Sequence, residues 1–370
     1  MPKLVRKISF GGKLLEKQAW KVSVGRVVSA TLLLLLLTLL LSRPPPSERL
    51  RVKGSPQRQV LIWTQQRAGS TLTSQLLTAL SCSFVTMEPL RRHAAEGSSL
   101  LSDILRCRFS QRMNYFREWV TGPQANDLRV KAICEVYPSL CEDPAYTEAV
   151  CRAACANVVK VATAELGVAT PLLQDPSLQV KVIHLVRDPR ALLASRYEVE
   201  LGKIISKVDG TFFTPEDKNA TTVCRRYRQD LAAARSLRRQ YPHRYMLVRY
   251  EDLALDPLRQ VRALYAFVDL PYTVRVAHAV AKHTLGLFVY YYQVDPYSTF
   301  KNSTATVFEW RTRLAFEEVE RVQEECADIL QAYGYHSYHS RLQYDDPRTS
   351  PLLSLTPEMW SPETTSSSSD

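Results

Sequence analysis

Residues Gln59–Leu72 read QVLIWTQQRAGSTL. A strand buried on both faces of a parallel sheet is expected to be continuously apolar rather than alternating, and Val60–Thr64 has that character. Gln65–Gly69 is a polar turn, and Ser70-Thr71 opens an apolar segment with helical periodicity that runs to Leu80. Strand, turn and helix start in that order place free backbone N–H groups and the positive end of a helix dipole over a sheet edge, which is a ready anion site. Gly69 would allow close approach, Ser70 and Thr71 add hydroxyls, and Arg67 supplies a guanidinium fork. Taken alone, the stretch fits an ordinary capped helix equally well, because the full G-x-x-x-x-G-K-[ST] motif is absent.

A second stretch of the same construction sharpens that reading. Val182–Ser195 is VIHLVRDPRALLAS: a buried strand ends at Arg187, and Asp188-Pro189-Arg190 opens a helix with Ser195 two turns in. Open α/β sheets bind ligands at the carboxyl ends of their strands, so Arg187 and Ser195 are placed to meet one. Tyr245–Arg249 (YMLVR) is a further strand, and Ser83–Met87 a short strand-like run. Helical patterns at 71–80, 146–156, 190–200, 222–239, 257–268 and 316–333 separate them, with Asp256-Pro257 as a helix start. Strands alternating with helices indicate an α/β, doubly wound domain with a central parallel sheet.

The chain of 370 residues carries 48 Lys and Arg against 37 Asp and Glu, a net charge of +11 that favours anionic partners without choosing among them. Ahead of the domain, Val27–Leu41 is almost purely apolar and follows a basic segment, which predicts a single signal anchor at 27–42 with the N-terminus cytosolic. A cleaved signal peptide is the alternative, disfavoured because no small-x-small site follows. The expected organisation is a cytosolic tail at 1–26, the anchor, a Pro- and Arg-rich stem at 43–59, a lumenal domain at 60–338 and a flexible tail at 339–370. All eight cysteines lie beyond the anchor, as expected of disulfides in an oxidising lumen, and two sequons, Asn219 and Asn302, would be glycosylated there. The cluster Cys134/Cys141/Cys151/Cys155 lacks paired C-x-x-C spacing and a nearby histidine, so no metal is expected. A lumenal domain also disfavours nucleic acid as the partner.

QQRAGSTL followed by VIHLVRDPRALLASR resembles the paired 5′-phosphosulfate and 3′-phosphate loops of Golgi carbohydrate sulfotransferases, which use 3′-phosphoadenosine 5′-phosphosulfate. The similarity continues through MEPL at Met87–Leu90, CEVYPSLC, TTVC at Thr221–Cys224, YMLVRYEDLALDP at Tyr245–Pro257 and KNSTATVFEWRTRL at Lys301–Leu314. The order is similar to the galactose, N-acetylglucosamine and N-acetylgalactosamine 6-O-sulfotransferases, nearest the keratan sulfate and chondroitin 6-O-type members. The resemblance implies a P-loop-related sulfotransferase fold, a type II Golgi membrane protein, a glycan or glycosaminoglycan acceptor, and room for a homo-oligomer. It implies that Gln66, Arg67, Ala68, Gly69, Ser70, Thr71 and Leu72 wrap the 5′-phosphosulfate, with Arg67 against the sulfuryl oxygens. The second loop, Arg187, Asp188, Pro189, Arg190, Ala191, Leu192, Leu193, Ala194 and Ser195, would hold the 3′-phosphate, chiefly through Arg187 and Ser195.

Transfer to a sugar hydroxyl needs a base, and Glu88 is the candidate, since Ser83–Met87 would return it to the same sheet edge and related enzymes carry a glutamate in a similar place. A capping or ion-paired role beside Arg91 and Arg92 is the other reading. His184 and His93 are weaker candidates, His184 because a mid-strand histidine is usually packed in a core. Leu201–Asn219 reads as a lid or acceptor loop, and Arg225, Arg226 and Arg228 as glycan contacts or a solvated helix face. The first loop departs from the family in its Gln65-Gln66 and Ala68-Gly69-Ser70-Thr71, and Lys160–Thr163 lacks an expected arginine. These departures leave a catalytically inactive glycan- or nucleotide-binding protein as the alternative function. A kinase or nucleotidase is disfavoured by the missing Gly-Lys-Ser/Thr step.

Overall fold

The computed structural model describes residues 56–122, 127–205, 213–286 and 298–355. Five strands form one parallel sheet: β1 (Arg58–Thr64), β2 (Ser83–Met87), β3 (Ala156–Val161), β4 (Val180–Val186) and β5 (Tyr245–Arg249), in the order β2-β3-β1-β4-β5. The described helices of eight residues or more are α1 (Ser70–Leu77), α2 (Gly97–Leu105), α3 (Met113–Thr121), α4 (Leu128–Val136), α5 (Pro144–Ala153), α6 (Pro189–Ile205), α7 (Ala220–Gln240), α8 (Pro257–Phe267), α9 (Val274–Thr284) and α10 (Phe316–Glu325).

The strand pleat sends alternate residues to opposite cores. Leu61 and Trp63 of β1 join a core with α2, α3, α6 and α7, whereas Val60 and Ile62 pack against α1, α8 and α9. Both faces are covered, which is why β1 and β4 read as unbroken apolar runs. From β1 the chain leaves toward β2 on one side, and from β4 it leaves toward β5 on the other. The crevice between the carboxyl ends of β1 and β4 is therefore the topological switch point of the sheet. The turn after Thr64 and the Arg187-Asp188 step both open onto it.

Several boundaries differ from the expected ones. β3 is a central strand that periodicity does not reveal, because Asn157 and Lys160 interrupt its apolar run. The helix expected over 316–333 is interrupted at Cys326, where α10 gives way to a short helix at Ala327–Ala332. The stem expected to reach residue 59 ends sooner, since Arg58 and Gln59 already pair with β3. The tail expected to be flexible from 339 is docked as far as 355: Arg311 donates to the carbonyls of Tyr344, Asp346 and Thr349, and Leu353 N–H donates to Gly334 O at 2.9 Å. The predicted anchor at 27–42 lies outside the described residues, among which no helix is long and apolar enough to cross a membrane.

Every cysteine is paired: Cys82–Cys155, Cys107–Cys151, Cys134–Cys141 and Cys224–Cys326. The sequon asparagines each cap a helix, Asn219 accepting from Thr222 N–H and Asn302 from Ala305 N–H, both at 3.1 Å.

Candidate active site

The turn after β1 bends because two of its residues adopt positive φ, 75° at Arg67 and 96° at Gly69. Left-handed backbone is natural for glycine and strained for arginine, so the surroundings hold Arg67 in place. Arg187 Nη1 donates to the Arg67 carbonyl at 2.8 Å, and Arg196 Nη2 to the Gln66 carbonyl at 3.1 Å. At Gly69, a Cβ would fall 2.3 Å from Tyr250 Cδ2, so only glycine fits beneath that ring. The Arg187 guanidinium lies over the same ring, 4.7 Å from its centroid. Gly69 is also the N-cap of α1 and offers no side-chain cap, leaving the first N–H groups of that helix directed at the crevice.

The start of α6 is arranged oppositely. Asp188 Oδ1 accepts from Arg190 N–H at 2.9 Å and ion-pairs with the Arg190 guanidinium, whose side chain is fully buried between Trp310 and Tyr338. That terminus is closed, and its opening is a structural lock. Asp188 is itself held from behind by Glu251, whose Oε1 accepts the Asp188 N–H at 3.0 Å while Oε2 accepts the Tyr335 hydroxyl at 3.0 Å. Burial, with the Asp188 charge beside it, pushes the Glu251 carboxyl up to about 7.

A cavity of about 240 Å³ occupies the crevice. Of the first loop, Gln66, Arg67, Gly69, Ser70, Thr71 and Leu72 line it; of the second, Arg187 just before α6 and Ala191, Ala194 and Ser195 on one face of that helix. Ala68, Asp188, Pro189, Arg190, Leu192 and Leu193 do not reach it and are buried in the supporting layers. The two loops touch directly: Arg67 Nε donates to Ser195 Oγ at 3.1 Å.

Glu88 lines the same cavity, at φ 53° after β2. It is ion-paired, and its partner is Lys160 of β3 rather than Arg91 or Arg92, with Lys160 Nζ 3.0 Å from Oε1. Oε2 accepts the Ala162 N–H at 3.0 Å. Each oxygen keeps a second lone pair for a hydroxyl donor. His184 is a core residue, its Nδ1 2.8 Å from the Tyr245 hydroxyl, and burial holds its pKa down at about 3. His93 sits between Glu96 and Glu118 beside a smaller cavity.

Residues that the sequence reading left unassigned complete the wall: Lys160, Glu198, Tyr250, Lys301, Ser303 and Arg313. The Lys301 ammonium is pulled below the ordinary lysine value by desolvation and by repulsion from Arg67, Arg313 and Arg187, with Glu198 opposing. Crowded cations that repel one another form a site completed by an anion. The segment KNSTATVFEWRTRL carried the signal for Lys301, Ser303 and Arg313, but no periodicity tells which of its side chains turn inward. Among the described residues no group of His, Cys, Asp and Glu is arranged to hold a metal.

Comparison with known proteins bears on this geometry. Residues 57–334 match the sulfotransferase domain family. Over 331 residues the chain is 31% identical to carbohydrate sulfotransferase 5 of Mus musculus, covering 78% of this chain and 83% of the relative. Over 356 residues it is 30% identical to carbohydrate sulfotransferase 6 of Homo sapiens, covering 85% and 89%. Solved structures similar to it include the sulfotransferase domain from the curacin biosynthetic pathway (TM-score 0.39, 18% identity, 74% of this chain and 98% of that one). Another is retinol dehydratase in a complex with retinol and PAP (TM-score 0.42, 15% identity, 78% and 86%). On its matched domain and on relatives aligned over most of their length, the chain belongs to the carbohydrate sulfotransferase family.

Proposed function

We propose that the protein transfers a sulfuryl group from 3′-phosphoadenosine 5′-phosphosulfate to the 6-hydroxyl of galactose, N-acetylglucosamine or N-acetylgalactosamine in a glycan, as a type II membrane protein of the Golgi. The observation that carries this reading is the meeting of an open helix N-terminus with Arg67, Arg187 and Glu88 in one cavity at the switch point of the sheet. The free N–H groups of α1 and the Arg67 guanidinium suit the 5′-phosphosulfate; Arg187, Ser195 and Lys301 suit a second phosphate. Glu88 is the group we assign to take the hydroxyl proton, and Lys160 with Ala162 N–H fixes its carboxylate. The N–H groups of α1 and the Arg67 guanidinium would also balance charge as the bond to the leaving phosphate breaks. Relatives named as carbohydrate sulfotransferases support a sugar acceptor.

The test is to incubate the full-length chain, purified in detergent, with sulfur-labelled donor and a panel of keratan, chondroitin and mucin-type glycans. Label on a 6-hydroxyl is expected. Donor retained on the protein with transfer to none of the panel would overturn the enzyme reading in favour of a binding protein.

A further inference from the structure

Gln65 is 6% exposed, and among the described residues neither its Oε1 nor its Nε2 has a hydrogen-bond partner. A buried primary amide without partners is costly, and folded proteins seldom tolerate one without a reason. Gln65 borders a second cavity of about 260 Å³. This cavity and the reaction cavity share a wall residue, Ala162, whose N–H holds Glu88. Around the second cavity stand Thr163, Glu165, Arg225, Gln229 and Asp230. Asp230 Oδ1 accepts the Leu166 N–H at 2.8 Å, and burial with the nearby Glu165 charge pushes its carboxyl up to about 7. Arg225, Gln229, Thr163 and Glu165 are exposed at the rim.

Amide, carboxyl, guanidinium and hydroxyl groups gathered in one small hollow are mixed donors and acceptors at short spacing. They suit a ligand presenting several neutral hydroxyls better than a metal ion. We propose that this cavity holds a sugar unit of the acceptor chain adjacent to the one that receives the sulfuryl group, with Gln65 reading its hydroxyls from the floor and Arg225 from the rim. The assignment rests on the glycan-sulfating reading above. It makes the enzyme sensitive to acceptor length.

Initial rates with the full-length chain are compared for methyl glycosides of the three candidate sugars and for tetrasaccharides built on each. Wild-type kcat/KM is expected to rise about tenfold or more from the glycoside to the tetrasaccharide. Gln65→Leu should remove most of that gain through KM, and Arg225→Ala should do so with unchanged rates on the glycosides and unchanged donor affinity. Gln65→Leu should also keep or raise Tm, because it removes an amide that has no partner in the free protein. A gain that survives both variants, or an equal loss on short and long acceptors, would overturn the subsite while leaving the enzyme reading intact. Transfer by the wild-type chain to none of these sugars would overturn both.

Discussion

Arg187 closes the first loop: its Nη1 donates to the carbonyl of Arg67 at 2.8 Å, so the residue that follows β4 shapes the turn that follows β1. Its guanidinium rests on Tyr250, and Tyr250 in turn covers Gly69. Two strand ends and the first turn of the short helix at Tyr250–Leu255 are thereby interlocked around the switch point. Arg187→Ala removes a charged hydrogen bond and a cation–π contact together. Donor affinity should fall by about tenfold to a hundredfold, corresponding to roughly 1.5–3 kcal/mol. Arg187→Lys should recover little, since an ammonium cannot hold the carbonyl and lie over the ring at once. Calorimetric titration of both variants with donor checks this.

Gly69→Ala tests the close approach. The added methyl would collide with the Tyr250 ring, and φ 96° is unfavourable for any L side chain. Loss of about 1–2 kcal/mol from backbone strain alone is expected, more if Tyr250 cannot move. Thermal denaturation should show a lower Tm, and donor binding should weaken. The pair Gly69→Ala/Tyr250→Ala should recover part of the stability, because the collision is then relieved.

Glu88→Gln keeps the shape and the Ala162 contact but removes the basic oxygen. Transfer should fall by about 10²–10⁴-fold with donor binding preserved. Lys160→Met strands Glu88 without its cation in a nearly enclosed position, so it should lower both Tm and kcat, whereas Lys160→Arg should retain more of each. Near-normal turnover in Glu88→Gln would remove Glu88 from proton transfer.

What was legible in the sequence follows from what each element buries. β1, β4 and β5 are apolar on both faces and announce themselves; β3 does not, because Asn157 and Lys160 stand in it. Those two are tolerated only through tertiary partners, Asn157 donating to Ile104 O at 2.9 Å and Lys160 meeting Glu88. No local pattern encodes such partners. The same limit explains the second loop: RDPR shows a helix start, but that Arg190 turns into the core while Arg187 faces the cavity depends on Trp310 and Tyr338, more than a hundred residues away. The helices at 97–105, 113–121, 128–136 and 274–284 are absent from the sequence reading for a related reason. They are short, and helices of that length are stabilised mainly by packing rather than by propensity.

The buried Glu251 sets a pH dependence. Its pKa is raised from 4.5 to about 7 on folding, by desolvation first and the Asp188 charge second. A carboxyl raised in this way favours the folded state fully below about 4.5, and the contribution is lost as pH rises through about 7. Across that window the change is up to roughly 3 kcal/mol, and Asp230, raised in the same direction, adds to it. Tm should therefore rise between pH 8 and pH 6, and Glu251→Gln should flatten the rise. An unchanged slope in that variant would assign the effect elsewhere.

Cys224–Cys326 joins the first turn of α7 to the end of α10 across 102 residues of sequence, a loop that includes β5 and the segment carrying Lys301, Ser303 and Arg313. In the chain-entropy description, closing a loop of that length restrains the unfolded chain by about 4–5 kcal/mol. Cys134–Cys141 closes only 7 residues, and its removal should cost about half as much by the same description. The double variant Cys224→Ser/Cys326→Ser should thus lose stability markedly more than Cys134→Ser/Cys141→Ser in urea titrations. Because α7 also donates the Tyr227 hydroxyl to the Arg187 carbonyl at 2.7 Å, the first variant should lose donor affinity as well as stability. The second should bind donor normally, since α4 contributes nothing to the cavity wall among the described residues. Equal losses in both variants would show that the bridges act on the folded state locally rather than through loop closure.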